Sequence, residues 1–125
     1  MSLRGIRGAI TVESDHEDKI LDATSDLLQA IQLSNPLLKI EDIASALFTL
    51  TEDLTSVYPA KAARLLGWSA VPMMCAREIP VTNGLSNCIR VLLHWNTDLL
   101  QSQIVHVYLR KAASLRPDLI NPTSE

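Results

Sequence analysis

The feature that most constrains this fold is a strict alternation of side-chain character over residues 88–95. Successive side chains of an extended chain point to opposite sides, so the alternation defines two faces. One face is wholly apolar and the other is mixed: Ile89, Val91, Leu93 and Trp95 oppose Cys88, Arg90, Leu92 and His94. The pattern predicts a strand in a β-sheet whose apolar face is covered by a core.

Four further segments have the character of strands. They are residues 4–13, 45–51, 70–79 and 104–115, the last ending before Arg116 and Pro117. The run Thr-Asn-Gly at residues 82–84 indicates a turn. Together with residues 88–95, these segments predict one sheet of about five strands.

One long helix is predicted over residues 16–33. Ser14 followed three residues later by Glu17 has the spacing of a capping box, and an apolar stripe follows at helical spacing: Ile20, Thr24, Leu27, Leu28 and Ile31. Residues 40–44 are predicted as a short helical turn, and a short helix is predicted from Pro59 to Gly67. The residues therefore predict an α+β domain in which the long helix packs on one face of the sheet.

Composition excludes several classes of partner. The 125 residues fit a single domain, 1–125, with residues 120–125 expected to be flexible, and the formal net charge of -3 argues against nucleic acid or an acidic membrane. No apolar run reaches the roughly 18 residues of a membrane span, and the N-terminus lacks the apolar stretch of a signal peptide, which predicts a cytoplasmic protein. Cys75 and Cys88 are predicted to be reduced thiols, and the three histidines lack metal-ligand spacing: His16, His94 and His106.

Arg7 and Arg90 lie in the middle of predicted strands, and neither has an acidic residue within three positions. A buried, unpaired guanidinium is costly, so each side chain either points to solvent or meets an anionic partner. The spacing is equally compatible with both interpretations. If the two arginines converge, a carboxylate ligand is favoured, because the guanidinium fork binds it bidentately and keeps its charge.

Five blocks of sequence, spread from about residue 4 to residue 119, resemble the small trimeric AroH-type chorismate mutases. They are Arg4-Gly5-Ile6-Arg7-Gly8-Ala9 with Thr11-Val12-Glu13, Tyr58-Pro59-Ala60-Lys61-Ala62 with Arg64, Cys75 with Glu78, Cys88-Ile89-Arg90-Val91, and His106-Val107-Tyr108-Leu109 with Leu115-Arg116-Pro117-Asp118-Leu119. The resemblance implies a single mixed sheet with one long helix and short helices packed on it. It also implies a homotrimer with the sheets at its core, a pseudo-α/β-barrel.

The resemblance further implies a reaction, the pericyclic [3,3] rearrangement of chorismate to prephenate in aromatic amino-acid biosynthesis, with no cofactor. Because no nucleophile or proton transfer is required, catalysis would consist of holding a compact conformer and stabilising negative charge on the breaking ether oxygen. The active site would lie between neighbouring subunits, whose surfaces exclude water.

Individual roles follow from the same resemblance. Arg90 would lie beside the ether oxygen, and Glu78 would accept a hydrogen bond from the ring hydroxyl. Arg7 and Tyr108 would bind a carboxylate. The other implied substrate-binding residues are Tyr58, Lys61, Arg64, Met73, Met74, Cys75, Leu115 and Arg116, of which Cys75 would lie close to the ring hydroxyl.

Two other functions remain open. One is a non-catalytic trimeric module that binds a small dicarboxylate with the same arginines, an interpretation favoured only by Met73-Met74, where the family has a smaller and partly polar pair. The other is a related trimeric enzyme that acts on reactive imines, which would need an arginine but not Glu78 and Tyr108. Taken alone, Glu78 is also compatible with a solvated surface charge, and Lys61 and Arg64 with the solvated face of a short helix.

Overall fold

The computed structural model describes residues 1–115, in which a five-stranded mixed sheet carries helices on one face. The strands are β1 (Ser2–Thr11), β2 (Ile43–Leu50), β3 (Met73–Arg77), β4 (Cys88–Thr97) and β5 (Val107–Leu109). The helices are α1 (Glu17–Ser34) and α2 (Ala60–Leu65), with 3-10 helices at Ile40–Asp42, Gln101–Gln103 and Arg110–Ser114. The predicted α+β class and the strand number are confirmed.

The strand order is β3-β2-β4-β1-β5, so β4 is the central strand. It is antiparallel to both of its neighbours, β1 and β2. The two edge strands are parallel to the strands they join, β3 to β2 and β5 to β1. No helix among residues 1–115 is long and apolar enough to cross a membrane.

The core lies between α1 and the apolar face that the alternation predicted. Ile89, Val91, Leu93 and Trp95 are all buried there, together with the apolar stripe of α1: Ile20, Leu27, Leu28 and Ile31. Gly8 allows this close approach, because a Cβ at this position would lie 2.8 Å from the Ile31 Cδ1 atom. The helix layer therefore covers one face and leaves the other to build a site.

The predicted last strand, residues 104–115, is wrong in length. Only Val107–Leu109 pair with β1, and the chain then turns into a 3-10 helix at Arg110, whose φ of 56° is in the left-handed region. The Arg110 guanidinium donates hydrogen bonds to the Thr11 carbonyl at 3.0 Å and to the Asp26 carboxylate at 3.3 Å. Ala112 is therefore buried by the 3-10 helix and not by strand pairing. The third predicted strand, 70–79, is likewise shorter, because pairing with β2 begins at Met73.

The predicted capping box is wrong, although helix α1 itself is confirmed within one residue at each end. The N-cap is His16, with no side-chain cap bond. The neighbouring Asp15 is instead bound to the loop before α2, where its carboxylate accepts hydrogen bonds from the Thr55 N–H at 2.9 Å, the Thr55 hydroxyl at 2.8 Å and the Ser56 N–H at 3.0 Å. These bonds, led by the Thr55 N–H, lower the pKa of Asp15 to about 2. The predicted turn at residues 82–84 is confirmed by the Gly84 N–H, which donates to the Val81 carbonyl at 2.9 Å.

Candidate active site

The two mid-strand arginines project from the same face of the sheet, the face away from α1. In the β1/β4 ladder, Arg7 is opposite Leu92 and Arg90 is opposite Ala9, so the arginines are diagonal neighbours on adjacent strands. Diagonal positions on one face are roughly 7–8 Å apart, within the reach of two long side chains. Both arginines are exposed in the single chain, and their positions allow them to reach one ligand.

A cavity of about 310 Å³ lies on this face. Five of the residues predicted for the site border it: Arg7, Glu78, Arg90, Tyr108 and Leu115. Its apolar walls include Leu47 and Leu92, which are opposite one another in the β2/β4 ladder. A second cavity, of about 620 Å³, shares Thr49, Glu78 and Arg90 with the first and extends toward residues 79–86. The charged residues thus lie where the two cavities meet.

Glu78 is brought to the site by the end of strand β3. Its N–H donates to the Leu50 carbonyl at 2.8 Å, which continues the pairing of β3 with β2 by one residue. The preceding residue, Arg77, fixes this strand end, because its guanidinium donates to the carbonyls of Thr51 at 2.9 Å and Leu54 at 2.7 Å. The position of the carboxylate is therefore set by main-chain pairing on one side and by the Arg77 bonds on the other.

The Glu78 carboxylate is paired on both oxygens. Its Oε1 atom lies 3.2 Å from the Arg90 Nε atom, and its Oε2 atom accepts a hydrogen bond from the Thr49 hydroxyl. The Glu78 side chain is only 19% exposed, so it is not the solvated surface charge that its sequence position alone allowed. The ion pair is thus made by Nε of Arg90 and not at the end of the guanidinium fork.

Arg7 differs from Arg90 because no acidic side chain of residues 1–115 lies within ion-pair distance of its guanidinium. Its main-chain N–H donates to His106 Nδ1 at 2.9 Å, which ties β1 to the start of the β5 segment. Tyr108 is opposite Ala9 in the parallel β1/β5 pair and is buried beside the cavity.

The two guanidinium groups of Arg7 and Arg90 and the carboxylate of Glu78 give the cavity a formal charge of +1, which favours an anionic ligand.

A small second core supports this face near Tyr108. It consists of Ala9, Cys88, Tyr108 and Ala112, with Leu85 and Leu115 packed against it. Burial raises the pKa of the Cys88 thiol to about 11, although the neighbouring Arg90 guanidinium acts in the opposite direction. Cys88 is therefore a neutral, buried packing residue at pH 7 and not a nucleophile. The described part of the chain contains no group of three or more His, Cys, Asp or Glu side chains arranged to hold a metal ion.

Six predicted site residues do not border the cavity within one chain: Tyr58, Lys61, Arg64, Met73, Met74 and Cys75. Lys61 Nζ lies 2.9 Å from Glu17 Oε2, and Tyr58 is 70% exposed. Helix α2, which carries Lys61 and Arg64, packs against α1 in the layer on the far side of the sheet. The predicted residue Arg116 lies outside the described residues.

The three predicted site residues in β3 divide between the two faces. Met73 and Cys75 pair with Ala46 and Phe48, and both pack against the main core on the α1 side. Met74 is opposite Leu47 on the cavity face and is 72% exposed. The Cys75 thiol therefore does not point toward Arg90, and only its main chain could meet a ligand there.

Thr49 is the contact that the sequence interpretation missed. It is opposite Arg90 in the β2/β4 ladder and borders both cavities. The alternation of residues 45–51 already placed Thr49 on the face opposite Ala46 and Phe48. Its register against Arg90, however, depends on strand pairing, which the local pattern does not specify.

Residues 3–119 match a family model described as chorismate mutase type I. The chain is 52% identical over 117 residues to "Chorismate mutase AroH" of Thermus thermophilus, covering 94% of this chain and 96% of the relative. It is also 52% identical over 120 residues to "Chorismate mutase AroH" of Bacillus subtilis strain 168, covering 95% of this chain and 94% of the relative. A solved chorismate mutase structure from Clostridium thermocellum is similar with a TM-score of 0.85 and 44% identity, covering 88% of this chain and 97% of that chain.

Proposed function

This chain belongs to the type I chorismate mutase family, and we propose that the cavity beside Arg7 and Arg90 binds chorismate. The chain is a chorismate mutase, an isomerase that converts chorismate to prephenate in aromatic amino-acid biosynthesis. The assignment of the cavity rests on one observation above all. The cavity contains Arg7, which has no acidic partner among residues 1–115, and Arg90, whose ion pair with Glu78 is made by Nε.

The proposed mechanism uses positioning and charge. In the rearrangement the ether C–O bond breaks while a C–C bond forms, and no proton is transferred. Arg7 and the Tyr108 hydroxyl bind a substrate carboxylate, which holds the compact conformer in which the two reacting ends meet. The terminal nitrogens of Arg90 donate to the ether oxygen as negative charge develops on it, and the Glu78 carboxylate accepts a hydrogen bond from the ring hydroxyl.

We extend the proposal to a site completed by a neighbouring subunit of a homotrimer. Exposed apolar side chains lie on the cavity face: Leu3, Leu47 and Met74 are 55%, 36% and 72% exposed. Such residues on a sheet face are typical of a surface that another chain covers. The cavity of a single chain is not bordered by Tyr58, Lys61 or Arg64. We propose that these residues contact substrate bound in the cavity of a neighbouring copy. A cytoplasmic location is proposed with it, supported by two free thiols, Cys75 and Cys88.

The activity is tested by adding purified protein to chorismate and following the loss of substrate absorbance, with the product identified by NMR. Prephenate should accumulate in proportion to enzyme and time. A module that only binds dicarboxylates would saturate with chorismate without consuming it. An enzyme acting on imines would leave chorismate unchanged.

The shared site is tested by mixing two inactive variants. Arg64→Ala and Arg90→Ala subunits, combined by co-refolding, should regain activity, because about one site in three of each mixed trimer then joins an intact Arg64 to an intact Arg90. Each variant refolded alone is the control. If every mixture stays as inactive as its components, Arg64 and Arg90 act from the same chain and the proposed arrangement is wrong.

A further inference from the structure

We propose that Thr49 is a positioning residue of the reaction, holding Glu78 in the orientation that leaves the terminal nitrogens of Arg90 available to substrate. The inference rests on the proposed function of the cavity. It concerns a residue for which the sequence blocks and the family resemblance give no role.

Thr49 lies next to the two charged side chains of the site, Glu78 and Arg90. Its Cα is directly opposite that of Arg90 in the antiparallel β2/β4 ladder, so the two side chains leave the same face as nearest neighbours. Its hydroxyl donates to Glu78 Oε2, while Glu78 Oε1 pairs with Arg90 Nε at 3.2 Å. Thr49, Glu78 and Arg90 together border both cavities.

The consequence follows from the geometry of arginine–carboxylate pairs. A carboxylate with both oxygens available tends to grip a guanidinium bidentately, through two parallel hydrogen bonds. The Thr49 hydroxyl donates to Oε2 and so helps to orient the carboxylate with Oε1 as the oxygen nearest to Arg90 Nε. Without the hydroxyl, Glu78 is free to take a second nitrogen of Arg90 and to withdraw it from the ether oxygen. Loss of the Thr49 hydroxyl should therefore weaken stabilisation of the transition state more than it weakens substrate binding.

The first test compares Thr49→Val, which removes the hydroxyl at nearly constant shape, with Thr49→Ser, which keeps it. We expect Thr49→Val to lower kcat at least about 10-fold, the size of a lost hydrogen bond to a charged group, with a smaller change in KM. Thr49→Ser should stay close to wild type. Ser45→Ala is the matched control, because Ser45 carries a hydroxyl on the same face of β2, bonded to His94 Nδ1 at 2.9 Å, and does not border the cavity.

The second test asks whether Thr49 acts through Glu78. In a Glu78→Ala background, Thr49→Val should cause no further loss of kcat, because the group it positions is already gone. Additive losses would overturn the inference, as would equal losses in Thr49→Ser and Thr49→Val. Thr49→Ala, which removes the same hydroxyl, replaces Thr49→Val if that variant does not fold.

The role of Thr49 and the function of the cavity can be refuted independently. Arg90→Lys is assayed beside the Thr49 variants with the same substrate. If Arg90→Lys loses activity and Thr49→Val does not, the role of Thr49 is refuted and the proposed site stands. If Arg90→Lys turns over chorismate at the wild-type rate, the proposed site itself is wrong.

Discussion

Replacing Arg90 by lysine tests the electrostatic mechanism most directly. The change keeps one positive charge on the same strand but replaces a planar fork by a single ammonium group. In the native site Nε is paired with Glu78 Oε1 at 3.2 Å. The proposed role of the terminal nitrogens is to donate to the ether oxygen of the substrate. A lysine has one nitrogen for both tasks. We expect it to pair with Glu78, because this residue is held at the site by two hydrogen bonds: the Thr49 hydroxyl donates to its carboxylate, and its main-chain N–H donates to the Leu50 carbonyl.

The size of the effect can be worked from the contact that is lost. A charge of about half an electron, developing about 3 Å from the guanidinium at an effective dielectric of about 20, gains about 3 kcal/mol. Loss of a single preorganised donor in other enzymes costs about 3–4 kcal/mol, or roughly 10²–10³ in rate. Both routes predict that Arg90→Lys lowers kcat at least about 100-fold. The fold should be intact, because Arg90 does not belong to the main core.

The assay is the initial rate of chorismate loss under saturating substrate, with thermal unfolding of each variant measured in parallel. Arg4→Lys is the control. Arg4 is also an arginine of the sheet, but its Nε donates to the Leu99 carbonyl at 2.9 Å and the side chain does not border the cavity. We expect Arg4→Lys to keep the wild-type rate. A wild-type rate in Arg90→Lys would refute the claim that a guanidinium at this position stabilises the transition state.

Two further predictions concern stability. Gly8→Ala should destabilise the fold by about 1–3 kcal/mol in urea unfolding, because its Cβ would meet Ile31 at 2.8 Å. The control is Gly5→Ala, whose Cβ meets only Leu92 at 3.6 Å and should not destabilise the fold. Equal losses of stability in the two variants would contradict the prediction. The pKa of Asp15 is lowered from 3.8 to about 2, so its hydrogen bonds should stabilise the fold above pH 3.8 and lose effect as the pH falls toward 2. The stability difference between wild type and Asp15→Asn should shrink over that interval; a constant difference would refute the assignment.

The open face of the sheet connects the fold to the function. Helices α1 and α2 and the segments beside them cover one face, and the second core around Tyr108 covers only part of the other. The remaining surface carries exposed apolar residues beside the charged side chains of Arg7, Glu78 and Arg90. A neighbouring subunit on this surface would bury the apolar residues and remove water from around the arginines, which strengthens their interaction with a dianion.

The errors of sequence interpretation have physical causes that can be identified. Residues 104–115 contain apolar residues at intervals compatible with a strand, but the left-handed conformation of Arg110 ends the strand, and its bonds to Thr11 and Asp26 connect distant segments. Ser14 and Glu17 have capping-box spacing, but tertiary bonds from Asp15 to Thr55 and Ser56 set the conformation before α1. In both cases a contact between distant parts of the chain overrides a local preference.

Local patterns in the sequence determined which faces and elements form. Alternation over residues 88–95 separated the core face from the face of Arg90, and the apolar stripe of α1 specified what covers the core face. Both follow from the fixed periodicities of strand and helix, which are properties of the chain itself.

Only the tertiary structure decided which side chains meet. Arg7 becomes a diagonal neighbour of Arg90 through the β1/β4 register, and Thr49 its direct neighbour through the β2/β4 register. Glu78 reaches them because β3 adds to the edge of β2 in parallel, 29 residues along the chain from Thr49. Strand register depends on the packing of all the elements together, and a shift of one residue would move every one of these side chains to the opposite face.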